Sequence, residues 1–241
     1  MNWIFLLVIG FSPFVLSDGD KLLEPCAIRD MECLSHSTEQ FLEHTCKGIP
    51  QYDIKALDPL VMSEPLTYVV DAGLGIVFRF ENLNVTGLRN QKISDFQMDT
   101  VAKSVLLKTR ADLNIVSDIR IELEGKPFTG VYHATASVLG TARYNYELKD
   151  DSKGVEYFVV GPETLTCEVT EEPKASLNQE LENALANDPL AKSKQAAYLA
   201  NRDNYRKQTL CKVAEEAYEV VVHNIRAAAK ILPKTAFFKD I

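Results

Sequence analysis

Between Lys194 and Lys230 the chain holds no proline and no glycine, and apolar residues recur at spacings near three and four. They are Leu210, Val213, Ala217, Val220, Ile225, Ala228 and Ile231. Such a stretch reads as a long amphipathic helix, and Pro233 ends it because its ring cannot continue the hydrogen-bond ladder. At 1.5 Å per residue the helix is roughly 35–55 Å long. That overruns the face of an ordinary compact sheet, so the apolar stripe stays covered only if a sheet curls around it. A break between Asn201 and Asn204 gives two helices instead, and the pattern alone leaves both readings open.

What precedes the helix supplies the sheet. From Tyr68 to about Val169 the chain reads as a run of strands, among them Val69-Val70, Ile76 to Phe80, Ser104 to Ala111 and Asn114 to Glu124. Ile119, Ile121 and Leu123 alternate with Asp118, Arg120 and Glu122, and Tyr144, Tyr146 and Leu148 alternate with Arg143, Asn145, Glu147 and Lys149. A period of two with one apolar face predicts antiparallel strands, buried on one side and wet on the other. Gly125-Lys126 and the stretch Asp150 to Gly154 are hairpin turns. Upstream, Asp30 caps a helix that runs to Cys46 with Leu34, Phe41 and Leu42 on one face, and Gly48 and Pro50 stop it. Ser176 to Ala186 reads as a further short helix, ended before Asp188-Pro189. The order is α+β, one curved sheet wrapping a helix, as a single domain over residues 18–241.

Residues 1–17 form an uncharged apolar run that is short for a membrane span. Val15 and Ser17 place small residues at −3 and −1 before Asp18, so the run reads as a cleaved secretory leader. Five cysteines follow, Cys26, Cys33, Cys46, Cys167 and Cys211, an odd number in an oxidising compartment. Four of them already allow three pairings, and spacing does not choose. Asn84-Val85-Thr86 is the only glycosylation sequon. The formal net charge of −8 argues against nucleic acid and anionic membrane surfaces as partners.

Signs of catalysis are missing. No nucleophile elbow, paired zinc histidines, Walker loop or dinucleotide fingerprint is present. His36 and His44 are eight residues apart, too far for metal ligands one turn apart, and Cys46 and His44 point away from each other on a helix. A secreted hydrolase would need a nucleophile that is not there. What stands out is apolar material facing inward with a few hydroxyls among it. Tyr144 and Tyr146 share a face, either as core aromatics or as polar contacts in an apolar small-molecule pocket.

Several long runs carry a family likeness. They are Pro25-Cys26 with Cys33 seven residues on, TEQFLEHTCKGIPQYDI over 38–54, Asp58-Pro59-Leu60, Asn84-Val85-Thr86-Gly87, SDFQMDT over 94–100 and VVHNIRAAAKILP over 221–233. Across essentially the whole of residues 18–241 the chain resembles the haemolymph juvenile hormone-binding, takeout-like family, its moth members most closely. The resemblance implies a long C-terminal helix wrapped by a highly curved antiparallel sheet, with an apolar cavity at each end, one of which holds the hormone. It implies the pairs Cys26–Cys33 and Cys167–Cys211, with Cys46 as a departure. Tyr144 of the Arg143-Tyr144-Asn145-Tyr146 strand would donate to the hormone epoxide. The N-terminal helix, around Leu34, Phe41 and Leu42, would gate the cavity, and Phe237 and Phe238 would help close it. The resulting expectation is a monomeric haemolymph carrier of juvenile hormone, without catalytic activity, metal or cofactor. A takeout-like carrier of another lipid or terpenoid is the alternative.

Overall fold

The computed structural model describes residues 22–241, so the leader expected over residues 1–17 lies outside the described residues. Helix α1 spans Met31–Thr45, and the Asp30 side chain accepts a hydrogen bond from the Cys33 amide at 3.0 Å, as its capping role requires. Eight strands follow: β1 (Leu60–Met62), β2 (Leu66–Asp71), β3 (Ile76–Thr86), β4 (Lys92–Asp99), β5 (Ser104–Leu123), β6 (Lys126–Asp150), β7 (Glu156–Val169) and β8 (Lys174–Leu177). The helices α2 (Gln179–Asn187), α3 (Pro189–Ala200), α4 (Arg202–Ile231) and α5 (Lys234–Phe237) complete the order.

All eight strands belong to one antiparallel sheet, with β1, β3, β5, β6 and β7 in sequence across it. The strands β2, β4 and β8 pair with β3, β5 and β6. The frame is the β5–β6 hairpin, 20 and 25 residues long, joined at Glu124-Gly125, where both residues have positive φ. Along β6, Phe128, Tyr132, Ala134, Ala136, Val138, Ala142, Tyr144 and Tyr146 are all buried, so one face points inward for the whole run. Strands this long must twist and coil, and the coil is filled by α4.

The helix is about 45 Å long. It buries Tyr205, Leu210, Val213, Ala214, Ala217, Tyr218, Val221 and Val222 against the sheet. At the waist the packing is close. A Cβ on Gly140 would stand 2.3 Å from the Tyr218 ring, so the missing side chain makes room for it. The Tyr218 hydroxyl donates to the carbonyl of Thr109, the residue opposite Gly140, at 3.2 Å. Cys167, which also faces Gly140, is bonded to Cys211, tying β7 to α4 at the same level.

Three features differ from the sequence reading. The helical region divides at Asn201, giving α3 and α4; of the two readings left open, the broken helix is the one adopted. Lys174–Leu177 is an edge strand paired with β6, and α2 begins only at Gln179. The two strands on either side of Asp112-Leu113 are one strand, β5. Asp112 points outward and accepts from the Ser137 hydroxyl at 2.6 Å across the ladder, where a turn was signalled.

Candidate functional site

The inner face of β6 touches a different cavity at each end, with the α4 waist between them. The first cavity encloses about 180 Å³ and lies beneath α1. Leu34, Phe41 and Leu42 of the expected gate, Tyr144 and Tyr146 of β6, and Phe237 and Phe238 of the tail all line it. The structure therefore brings every residue named as a ligand contact or gate into one wall.

Each position has a local cause. Strand alternation turns Tyr144 and Tyr146 inward together. Tyr146 meets Phe158 edge-on at 5.3 Å; Phe158 meets Phe237 and Phe238 at 5.8 and 5.9 Å; Phe96 stacks on Phe238 at 5.8 Å. These contacts make an aromatic box at the tail end, and such pairs add about 0.5–1.5 kcal/mol each beyond area burial. The tail is held by the N-terminal segment: the Cys26 amide donates to Phe237 O at 3.0 Å, and the Lys239 amide donates to Cys26 O at 3.1 Å. Cys26 is in turn bonded to Cys33 in the first turn of α1. Helix α1 and the tail thus meet at one disulfide.

The polar groups of the cavity are few and almost all neutral; Glu24 is the one charged lining residue. The Asn224 amide is fully occupied, accepting from the Lys55 amide at 2.8 Å and donating to its carbonyl at 2.9 Å. Ser37 likewise donates to Glu24 O at 2.8 Å. Tyr144 is different. It is buried, its hydroxyl makes no hydrogen bond to a described residue, and burial pushes its phenol up, opposed only weakly by Arg226. It stays a neutral O–H donor facing an apolar space. Gln91, at the start of β4, was not anticipated. It is 2% exposed, lines the cavity, and neither its Nε2 nor its Oε1 has a partner among the described residues. Phe96 and Phe158 were also missed as lining residues, although their strand alternation pointed them inward.

Beyond the Cys26–Cys33 disulfide and the Ser37–Glu24 bond, the charged contacts that fasten α1 are weak. An exposed Glu39–Lys92 ion pair and an Arg89–Glu43 contact at 3.7 Å join it to the β4 side, and exposed pairs contribute about 0–1 kcal/mol. Cys46 is free and buried at the C-terminal end of α1, while the His44 ring turns to the Gln40 carbonyl. No histidine lines the cavity. A neutral epoxide- or ester-sized group can be hydrogen-bonded here; a carboxylate would be buried without a counter-charge.

The second cavity, larger at about 390 Å³, lies between the other end of the sheet and α2, α3 and the start of α4. Among the described residues no helix is long and apolar enough to cross a membrane. The disulfides Cys26–Cys33 and Cys167–Cys211 are formed, and Asn84 faces outward between buried Leu83 and Val85.

Comparison with known proteins agrees with this architecture. The family model for haemolymph juvenile hormone binding protein matches residues 4–139. A juvenile hormone-binding protein of Manduca sexta is 54% identical over 229 residues, spanning 94% of this chain and all of that protein. Takeout 1 of Epiphyas postvittana shares the fold, with a TM-score of 0.70 at 17% identity over 90% of this chain and all of that one. With an apolar cavity beneath α1, a wrapped helix and a relative 54% identical over nearly the whole chain, the chain belongs to the haemolymph juvenile hormone-binding protein family.

Proposed function

We propose that the chain is a secreted haemolymph carrier that takes juvenile hormone, an epoxide-bearing sesquiterpenoid methyl ester, into the cavity beneath α1 and shields it in transit. The observation that carries this reading is Tyr144: a buried hydroxyl, without a hydrogen-bond partner among the described residues, in a mostly apolar cavity whose described lining residues include no Lys or Arg. The name of the Manduca sexta relative supports it. In this reading Leu34, Phe41 and Leu42 act as the gate, Tyr146, Phe237 and Phe238 enclose the ligand, and residues 1–17 are the leader. Asn84 carries a glycan, and the protein acts as a monomer without metal or cofactor. In this reading it performs no catalysis, in keeping with a relative named as a binding protein.

The magnitudes fit. A ligand of about 20 heavy atoms gains roughly 6 kcal/mol at ~0.3 kcal/mol per atom, whereas micromolar binding needs about 8 kcal/mol. Near-complete burial and a preorganised donor supply the difference. Tyr144→Phe removes one hydrogen bond, about 1 kcal/mol, so it weakens hormone binding about fivefold and leaves the epoxide-free analogue unchanged. Equal losses for both ligands would sink the hydrogen-bond role. A takeout-like carrier of another terpenoid is the second reading, favoured by a lining that is mostly apolar; it predicts that the epoxide-free analogue competes on equal terms.

A further inference from the structure

The second cavity differs from the first in the sign of its charge. Its floor is apolar, formed by Phe78 of β3 and by Ile119, Ile121 and Leu123 of β5. Its volume of about 390 Å³ lies within the ~300–1,000 Å³ typical of ligand sites. Four cations line it, Lys192, Lys194, Arg202 and Arg206, against one acid, Glu182. Two of them are engaged: Lys194 with Glu124 at 2.6 Å and Arg202 with Asp203 at 3.1 Å.

Arg206 is half-buried and makes no ion pair with a described residue. Tyr132 and Tyr198 line the same cavity, and neither hydroxyl makes a hydrogen bond to a described residue. Burial pushes both phenols up, and the Arg206 guanidinium lines the same chamber as they do. Thr209, three residues on in α4, is 2% exposed and its hydroxyl is unpartnered. A half-buried guanidinium without a counter-charge at an apolar chamber is costly to maintain, and a planar anion that pairs with it in two-point fashion relieves the cost.

We propose that this chamber is a second, independent binding site for a long-chain fatty carboxylate. The headgroup pairs with Arg206 in the chamber that Tyr132 and Tyr198 also line, and the alkyl chain lies along Phe78, Ile119, Ile121 and Leu123. Each buried methylene strengthens binding about fourfold, so affinity rises with chain length until the floor is covered. The two cavities then divide their cargo by charge: a neutral ligand beneath α1, an anionic one beneath α3. Tyr132 and Tyr144 are twelve residues apart on one strand, roughly 40 Å, so the two ligands do not touch.

The test is titration of the full chain with the fluorescent fatty acid cis-parinaric acid and with its methyl ester. The proposal expects one equivalent of the acid bound, the ester at least tenfold weaker, and a further tenfold loss of acid binding in Arg206→Gln, which also erases the preference for acid over ester. Leu185→Trp, which fills the chamber, abolishes binding, and Tyr144→Phe in the other cavity leaves it within twofold. A melting curve checks each variant. Should Arg206→Gln fail to fold, Arg206→Lys keeps the charge without the two-point geometry and is expected to lose a few-fold. Equal affinity for acid and ester, an Arg206 variant that binds as the parent does, or mole-for-mole displacement of the acid by juvenile hormone would each overturn the proposal.

Discussion

A cavity of about 180 Å³ is smaller than the ~300 Å³ at which ligand sites usually begin, so a ligand of ~20 heavy atoms enters only if its wall moves. In the proposed function the wall that moves is α1, and Leu34 tests it. The side chain is 8% exposed and lines the cavity. Leu34→Ala removes three carbon atoms, about 2.4 kcal/mol at ~0.8 kcal/mol per methylene. Because the side chain already borders a void, the cost stays at the low end of the ~2–5 kcal/mol range for such truncations, at about 2 kcal/mol. If α1 must open for both entry and exit, destabilising its closed position by that amount raises the open population about thirtyfold. Both rate constants then rise by similar factors, and the dissociation constant moves less than either. Stopped-flow measurement of association and dissociation with a fluorescent hormone analogue reads this directly. A faster dissociation with unchanged association would refute the gate, for Leu34 would then be a ligand contact and nothing more.

Three further outcomes follow from the packing and the charges. Gly140→Ala puts a Cβ within 2.3 Å of the Tyr218 ring and lowers unfolding stability by about 1–3 kcal/mol; a parental urea midpoint would contradict the close approach. Gln91→Met removes a buried amide with neither atom partnered, so the empty protein gains about 1 kcal/mol and melts a few degrees higher, whereas a loss would show the amide to be bonded. Asp188, Asp71 and Asp151 are held below the ordinary carboxylate value, chiefly by Lys126, by the Tyr205 hydroxyl and by the Val155 amide. An acid whose pKa is lower folded than unfolded adds stability above the unfolded value and loses it as pH falls through the folded one, so the denaturation midpoint drops below about pH 4. Burial raises Glu219, whose penalty appears only as pH rises and so does not mask that acid limb. Asp188→Asn keeps the cap on α3 and shows a shallower acid limb; an unchanged limb would contradict the assignment.

Much of this architecture is legible in the sequence where a local signal and the global fold agree. Asp30 and Gly48 bracket α1 because a cap and a left-handed stop are local chemistry. Tyr144 and Tyr146 fall on one face because strand alternation survives coiling. The long helix announces itself through the absence of breakers, and the curled sheet follows from the need to cover it. The misreadings share a cause. Asp112 and Asn114 look like a turn, yet they are outward positions of an unbroken strand, one of them tied to Ser137. Residues 174–177 have helical composition, and only the edge of β6, supplied from forty residues earlier, makes them a strand. Gly140 weakens a strand locally, while its reason is the ring of Tyr218, far along the chain. Gln91 carries no signal at all: a surface glutamine and a buried, unpartnered one are the same letter, and only the cavity tells them apart.

The central claim is that a neutral epoxide-bearing ligand sits beneath α1 with its oxygen on Tyr144. A crystal structure of the chain grown with juvenile hormone tests it most directly. The account predicts ligand density in the first cavity, the epoxide oxygen within about 3 Å of the Tyr144 hydroxyl, and α1 displaced outward to make room. Density for the hormone beneath α3, or beneath α1 with its epoxide away from Tyr144, would contradict it.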